Sequence, residues 1–246
     1  MKNLDCIPAI ILAGGKGLRI RKIIGEIPKP LLNIEGYSLL EHTLLPLKDA
    51  GIKKFIVSIG LNGRLIKDCI GYGEKYDVDI DYVEESSPLG DAGAFKYSFP
   101  AYAGTVLLAN ADEIRIGLNL EQMLAFHKEK GGLSTMAIIK QPNIKDHGIV
   151  ELDEENRIKR FLMNPDINET ESKYANAGLY FMEKRVLEFF PGGHCMMKNV
   201  LKDIAKTQEL FGFPFVGKYF NVGTPGIFNS AQKYFKSQRT PLLFAR

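Results

Sequence analysis

Cysteine is scarce in this chain: Cys6, Cys69 and Cys195 are odd in number and far apart. They offer no paired-cysteine metal spacing and no disulfide framework, so reduced, mostly packed thiols are expected. The four histidines form no ligand pair at helical spacing, and no structural metal is expected. Charge of one sign is also lacking. With 32 Lys and Arg against 29 Asp and Glu, the net charge of +3 is too slight to argue for nucleic acid, and no run of like charges marks a tail or a membrane-surface helix. Apolar runs reach only strand length. The start MKNLDCIPAI has neither the long apolar segment nor the cleavage site of a signal peptide, so a cytoplasmic protein with no membrane partner is expected. Internal repeats and low-complexity segments are absent. The 246 residues suffice for one α/β domain with a smaller lobe.

What is present is a glycine loop. The stretch "AIILAGGKGLRIRK" covers residues 9–22. Its apolar start reads as a strand buried on both faces, and Gly14, Gly15 and Gly17 then leave backbone N–H groups uncovered. Lys16, Arg19, Arg21 and Lys22 add positive charge at the same place, which suits a phosphate chain. Taken alone, the stretch fits a tight turn beside solvated cations equally well. The G-G-x-G spacing matches neither the dinucleotide fingerprint nor the P-loop, and Pro28 and Pro30 interrupt the helix either motif requires.

Strand and helix signals alternate through the first half. "SLLEHTLLPLKDAG" opens with Ser38 and Glu41 in capping-box spacing and should bend at Pro46. "KKFIVSIG", "VDIDYVE", "GTVLLANAD" and "LSTMAIIK" read as strands, separated by helices in "GRLIKDCIG", "GDAGAFKYSF" and "NLEQMLAFHKEK". The pattern predicts a doubly wound parallel sheet over about residues 1–140. From about 141 to 225 the character changes. "HGIVELDEENRIKRF" reads as a β-hairpin and "YANAGLYFM" as a strand, which suggests a smaller lobe closing over a cleft. A helix over "MMKNVLKDIAKT", a short strand near "FGFPFVG", the segment "KYFNVGTP" and a C-terminal helix from about Ile227 to Lys236 complete the chain.

In open α/β sheets, ligands sit beyond the carboxyl ends of the strands, and that rule gathers "LAGGKGLR", "ESSPLGDAGA", "LLANADE" and "NVGTP" at one rim. In order and spacing, "AIILAGGKG", "PKPLLNIEG", "PLGDAGAF", "NADE", "HGIVELDEENRIKRF", "NAGLYF" and "NVGTP" resemble the sugar-1-phosphate nucleotidyltransferases, or nucleotide-sugar pyrophosphorylases. The resemblance covers nearly the whole catalytic domain. It implies a Rossmann-like mixed sheet of the glycosyltransferase-A-like type with a β-rich sugar-binding lobe. The implied reaction is transfer of a nucleoside monophosphate from an NTP to a sugar-1-phosphate, a chemistry of charge neutralisation rather than covalent catalysis. By resemblance, Arg19 holds the triphosphate and its pyrophosphate leaving group, and Lys29 in "PKP" reaches the α-phosphate. Asp112 is implied as the Mg2+ ligand with Asn221, at a position where most relatives carry Asp, as its second.

Resemblance also places Leu12, Ala13, Gly14, Gly15, Lys16 and Gly17, with Glu85, Gly90 and Asp91, around the nucleotide. Glu85 has only acceptors, which matches the adjacent N1 and N2 donors of guanine and tilts the expectation toward GTP, although Glu84 could exchange with it by a one-residue shift. Gly148 and Asn176 match positions facing the sugar. There the pattern departs: Met163 and Asn164 replace a sugar-binding Glu and a phosphate-binding Lys, Leu18 stands where relatives carry Thr or Ser, and Asp91 replaces a Thr. Lys218, three residues before Asn221, is the candidate replacement cation for the acceptor phosphate. The alternative reading is a non-catalytic nucleotide-sugar-binding paralogue that regulates an active enzyme. A dinucleotide-binding oxidoreductase is disfavoured by the glycine spacing. An appended β-helical acyltransferase domain is not expected, and a homo-oligomer is left open.

Overall fold

The computed structural model describes residues 4–15, 17–60, 63–145 and 147–238. The first strand, β1 (Ala9–Leu12), is followed by a single-turn helix α1 (Arg21–Ile24) and a short hairpin, β2 (Asn33–Ile34) and β3 (Tyr37–Ser38). Helix α2 (Leu39–Asp49) begins with the expected capping box, in which the Glu41 N–H donates to Ser38 Oγ at 3.2 Å and the Ser38 N–H to Glu41 Oε2 at 2.8 Å. It continues through Pro46, because Leu44, Leu45 and Leu47 are buried and their packing offsets the backbone bond that proline cannot make. Next come β4 (Lys54–Ile59), α3 (Arg64–Ile70), β5 (Asp79–Glu84), α4 (Gly90–Ser98), β6 (Thr105–Asn110), β7 (Glu113–Ile116), α5 (Leu120–Lys130) and β8 (Ser134–Lys140). The second half supplies β9 (Gly148–Leu152), β10 (Ile158–Met163), β11 (Tyr174–Glu183), α6 (Met197–Lys206), β12 (Leu210–Pro214), β13 (Lys218–Asn221) and α7 (Pro225–Ser237).

Strands β6, β1, β4 and β5 run parallel, as the alternation predicts. Their side chains divide by period two. Ala9 and Ile11 of β1, with Leu107 and Ala109 of β6, enter the core shared with α2, α3 and α5, whereas Ile10, Val106 and Leu108 enter the opposite core with Phe95 of α4 and Val200 of α6. Both faces are covered, which is why these strands are continuous apolar runs in the sequence.

The sheet departs from the parallel expectation at β8. It does not pair with β6; β11 lies between them, antiparallel to both. The amino-terminal end of β11 also pairs with β9, which carries β10, and β12 joins parallel to β8. The sheet therefore has nine strands and is mixed. Within residues 141–225, β9 and β10 extend the main sheet, and Val150 and Phe161 share a core with Ile10 and Phe95.

A two-stranded sheet of β7 and β13 pairs Glu113 with Asn221. Helix α7 covers it, with Phe228, Ala231 and Phe235 packed against Ile114, Val222 and Ile20. All three cysteines are free; Cys195 is buried, whereas Cys6 and Cys69 are exposed rather than packed. Among the described residues, no helix is long and apolar enough to cross a membrane.

Candidate functional site

At the carboxyl ends of β1, β4 and β6 lies an open cavity of about 1120 Å³, lined by all four segments that the strand-end rule gathers. Leu12, Ala13, Gly14 and Gly15 form its floor. A Cβ on Gly14 would stand 3.0 Å from Glu85 Oε1 and 3.2 Å from the Gly60 nitrogen, so this glycine admits two neighbours at once. Gly17, at φ 59°, turns the chain into a 3-10 turn over Leu18–Ile20, and burial of Ile20 fixes where Arg19 projects. Arg19 crosses to the other end of the chain: a Cβ on Gly223 would lie 3.2 Å from its Nη2 and 3.4 Å from Asn221 Oδ1. Lys16 lies outside the described residues.

Lys29 sits between Pro28 and Pro30 in a 3-10 turn and is only 8 % exposed. Its ammonium pairs directly with the Asp112 carboxylate. A buried cation needs such a partner, and the flanking prolines limit the ordering cost of holding it there. Asp112 is in turn fixed beside Asn221, because the Val222 N–H donates to the Asp112 carbonyl at 2.9 Å as β13 pairs with β7. Both residues line the cavity. Among the described residues, no group of three His, Cys, Asp or Glu side chains converges as a cage. One carboxylate and one amide oxygen fit a hard dication that takes its remaining ligands from water and substrate phosphates.

Glu85 resolves the one-residue ambiguity. Glu84 pairs with Lys67 at 3.0 Å on the surface, whereas Glu85 is buried, lines the cavity, and accepts the Leu89 N–H at 3.0 Å through Oε2, with Oε1 turned toward Gly14. Gly90 and Asp91 also line the cavity, but each has a structural partner. A Cβ on Gly90 would meet the Cys195 carbonyl at 2.3 Å, so the close approach it permits is to protein backbone. Asp91 Oδ1 accepts the Met197 N–H at 2.7 Å and so caps α6 from outside.

A second, smaller cavity of about 170 Å³ shares Leu12, Asp91, Asn110, Glu113 and Asn221 with the first. Gly148 and Asn176 both line it. Gly148 lacks a side chain because a Cβ would stand 2.7 Å from the Phe161 ring. The Asn176 amide is held by the Tyr180 hydroxyl at 2.6 Å and the Gly178 N–H at 2.9 Å.

Two candidates for this cavity are corrected. Asn164, just past β10 at φ 50°, is exposed and lies outside both cavities; Met163 lines the second one instead. Lys218 also lies outside both. Side chains alternate across a strand, and Tyr219 and Asn221 face the cavity, so Lys218 is on the other face with Phe220, which packs toward α7. A separation of three residues was close along the strand but of the wrong parity.

The sequence reading missed Glu113 and Arg115. Glu113 lines both cavities, receives the Asn110 amide at 2.9 Å, and pairs with Arg115 at 3.3 Å. Burial pushes its carboxyl up, which the Arg115 guanidinium partly opposes. Arg115 also donates to the Ala177 and Gly178 carbonyls, at an irregularity in β11 where Gly178 has φ 58° and a Cβ would overlap the Glu113 carboxylate. The alternation "EIRI" put both charges on one strand face, a signal of a buried ion pair that was legible in advance.

Comparison with known proteins identifies the family. The nucleotidyl transferase family model matches residues 8–237. The mannose-1-phosphate guanylyltransferase catalytic subunit beta of Drosophila pseudoobscura pseudoobscura is 30% identical over 222 residues, covering 88% of this chain and 59% of that protein. The UTP–glucose-1-phosphate uridylyltransferase of Synechocystis is 28% identical over 198 residues, covering 75% of this chain and 51% of that protein. The chain thus spans between half and three-fifths of the length of these relatives. The crystal structure of HddC from Yersinia pseudotuberculosis superposes with a TM-score of 0.80 at 22% identity, covering 93% of this chain and 99% of that one, a likeness of fold. With the family matched over almost its whole length and the cavities at the strand ends that the fold uses, this chain belongs to the nucleotidyl transferase family.

Proposed function

We propose that this chain transfers a nucleoside monophosphate from an NTP to a sugar-1-phosphate, giving a nucleoside-diphosphate sugar and pyrophosphate. The observation that carries the reading is the junction of the two cavities at Asn110, Glu113 and Asn221, beside the Lys29–Asp112 pair. The large cavity takes the triphosphate, and the small one takes the acceptor. An acceptor phosphate oxygen attacks the α-phosphorus at the junction; its new P–O bond forms as the bond to the bridging oxygen breaks and pyrophosphate leaves. Lys29 follows the charge developing on the α-phosphate, and Arg19 holds the departing pyrophosphate. Asp112 and Asn221 would hold Mg2+, which would supply neutralisation of phosphate charge.

GTP is the favoured donor in this reading. What supports it is a buried Glu85 whose Oε1 faces Gly14, an acceptor-only group for the guanine donors. The test is pyrophosphate release across a matrix of nucleoside triphosphates and sugar-1-phosphates, with and without magnesium. Release confined to magnesium and greatest with GTP is expected. Tight nucleotide-sugar binding with no release from any pair would replace this reading with a non-catalytic regulatory role.

A further inference from the structure

The proposed reaction brings a sugar phosphate of nearly two negative charges into the small cavity. The titratable side chains lining that cavity are Asp91, Glu113, His147, Tyr180, Tyr219 and Lys198. Asp91 and Glu113 are carboxylates that repel the incoming phosphate, and the Arg115 guanidinium is already engaged by Glu113 and two carbonyls. Asn164 and Lys218, the residues expected to meet the phosphate, are outside the cavity. Lys198 is its one Lys or Arg among the described residues.

We infer that Lys198 binds the acceptor phosphate, supplying from α6 the ammonium that β10 lacks; the inference rests on the proposed function. Lys198 is the second residue of α6, and the start of that helix is fixed against α4. The Met197 N–H donates to Asp91 Oδ1, the Cys195 N–H to the Leu89 carbonyl at 2.8 Å, and the Ala92 N–H to the Cys195 carbonyl at 3.2 Å. Gly90 makes the contact between the two backbones sterically feasible. Because Asp91 lines both cavities, this tie sets the root of Lys198 next to their junction, where the acceptor phosphate must arrive. Lys198 is exposed and has no hydrogen-bond or ion-pair partner among the described residues, so its ammonium costs no existing interaction to recruit. The same tie accounts for Asp91 in a phosphate-binding region: its Oδ1 caps α6.

The test is steady-state pyrophosphate release by the parent, Lys198→Met and Lys198→Arg with GTP, magnesium and a panel of hexose 1-phosphates, alongside calorimetric titration with GTP alone. Loss of a charge-assisted hydrogen bond to phosphate should raise the acceptor KM of Lys198→Met about 10- to 100-fold and weaken its dependence on salt. GTP affinity and thermal midpoint should stay at the parent's values, and Lys198→Arg should recover most of the KM. An acceptor KM for Lys198→Met within twofold of an active parent overturns the inference while the proposed reaction stands. No release by a parent that binds GTP, with every acceptor tried, overturns both. If Lys198→Met lowers the thermal midpoint, Lys198→Gln is held to the same criteria.

Discussion

Arg115→Met separates the site's electrostatic scaffold from its substrate contacts. The Arg115 and Glu113 side chains are 5% and 9% exposed. Besides Glu113 Oε2, the guanidinium serves the Glu113 carbonyl at 2.8 Å, the Gly178 carbonyl at 2.6 Å and the Ala177 carbonyl at 2.5 Å. Methionine keeps most of the stem and removes every donor. Breaking one side of a buried ion pair costs about 3–5 kcal/mol. Glu113 can take up a proton to relieve part of this, since burial already raises its carboxyl, so the lower end applies. A loss of about 3 kcal/mol in a chain of this length lowers the midpoint by roughly 6–12 °C. The double variant Arg115→Met with Glu113→Leu should regain at least half of that loss, because removing both charges also removes the unpaired one. Urea unfolding followed by circular dichroism measures all three. A single-variant cost below about 1 kcal/mol, or a double variant no more stable than the single, would refute the reasoning.

Asp112→Asn should abolish nearly all magnesium-dependent pyrophosphate release and, by leaving the buried Lys29 ammonium without its carboxylate, also lower the unfolding midpoint of a protein that still folds; normal turnover would remove Asp112 from the metal site. Glu85→Gln should narrow the preference for GTP over UTP by about 1.5–3 kcal/mol, read from competitive binding; an unchanged preference would dismiss the guanine contact. His42 is buried against Phe235, donates its Nε2–H to the Ile34 carbonyl at 2.9 Å, and is pushed below its ordinary value of 6.5 by burial. The unfolded chain therefore binds the extra proton first, so this stability is complete above pH 6.5 and is lost as pH falls toward the folded-state value. Urea unfolding at pH 7.5 and 5.5 should show a smaller acid loss for His42→Leu than for the parent, and equal losses would exclude His42 as the cause.

Much of the local structure was determined by the sequence alone. Both-face burial made β1, β4 and β6 continuous apolar runs, Ser38 and Glu41 marked the start of α2, and the "LDEEN" turn marked the hairpin of β9 and β10. The glycine loop and the family resemblance gathered Arg19, Lys29, Asp112 and Asn221 at one rim, and all four line the large cavity. Tertiary structure decided what joins residues far apart in the chain. Insertion of β11 between β6 and β8 joined the β9–β10 hairpin to the main sheet, and no local periodicity encodes which strand a buried run will choose as its neighbour. Pairing of β7 with β13 set Asn221 opposite Glu113 and, by the parity of that register, turned Lys218 away. The hydrogen bond from Met197 to Asp91 brought α6 to the small cavity with Lys198 on its first turn. A sequence fixes alternation within a strand or helix because backbone geometry is local; it leaves open which faces meet, because that choice depends on how all the apolar surfaces are buried together.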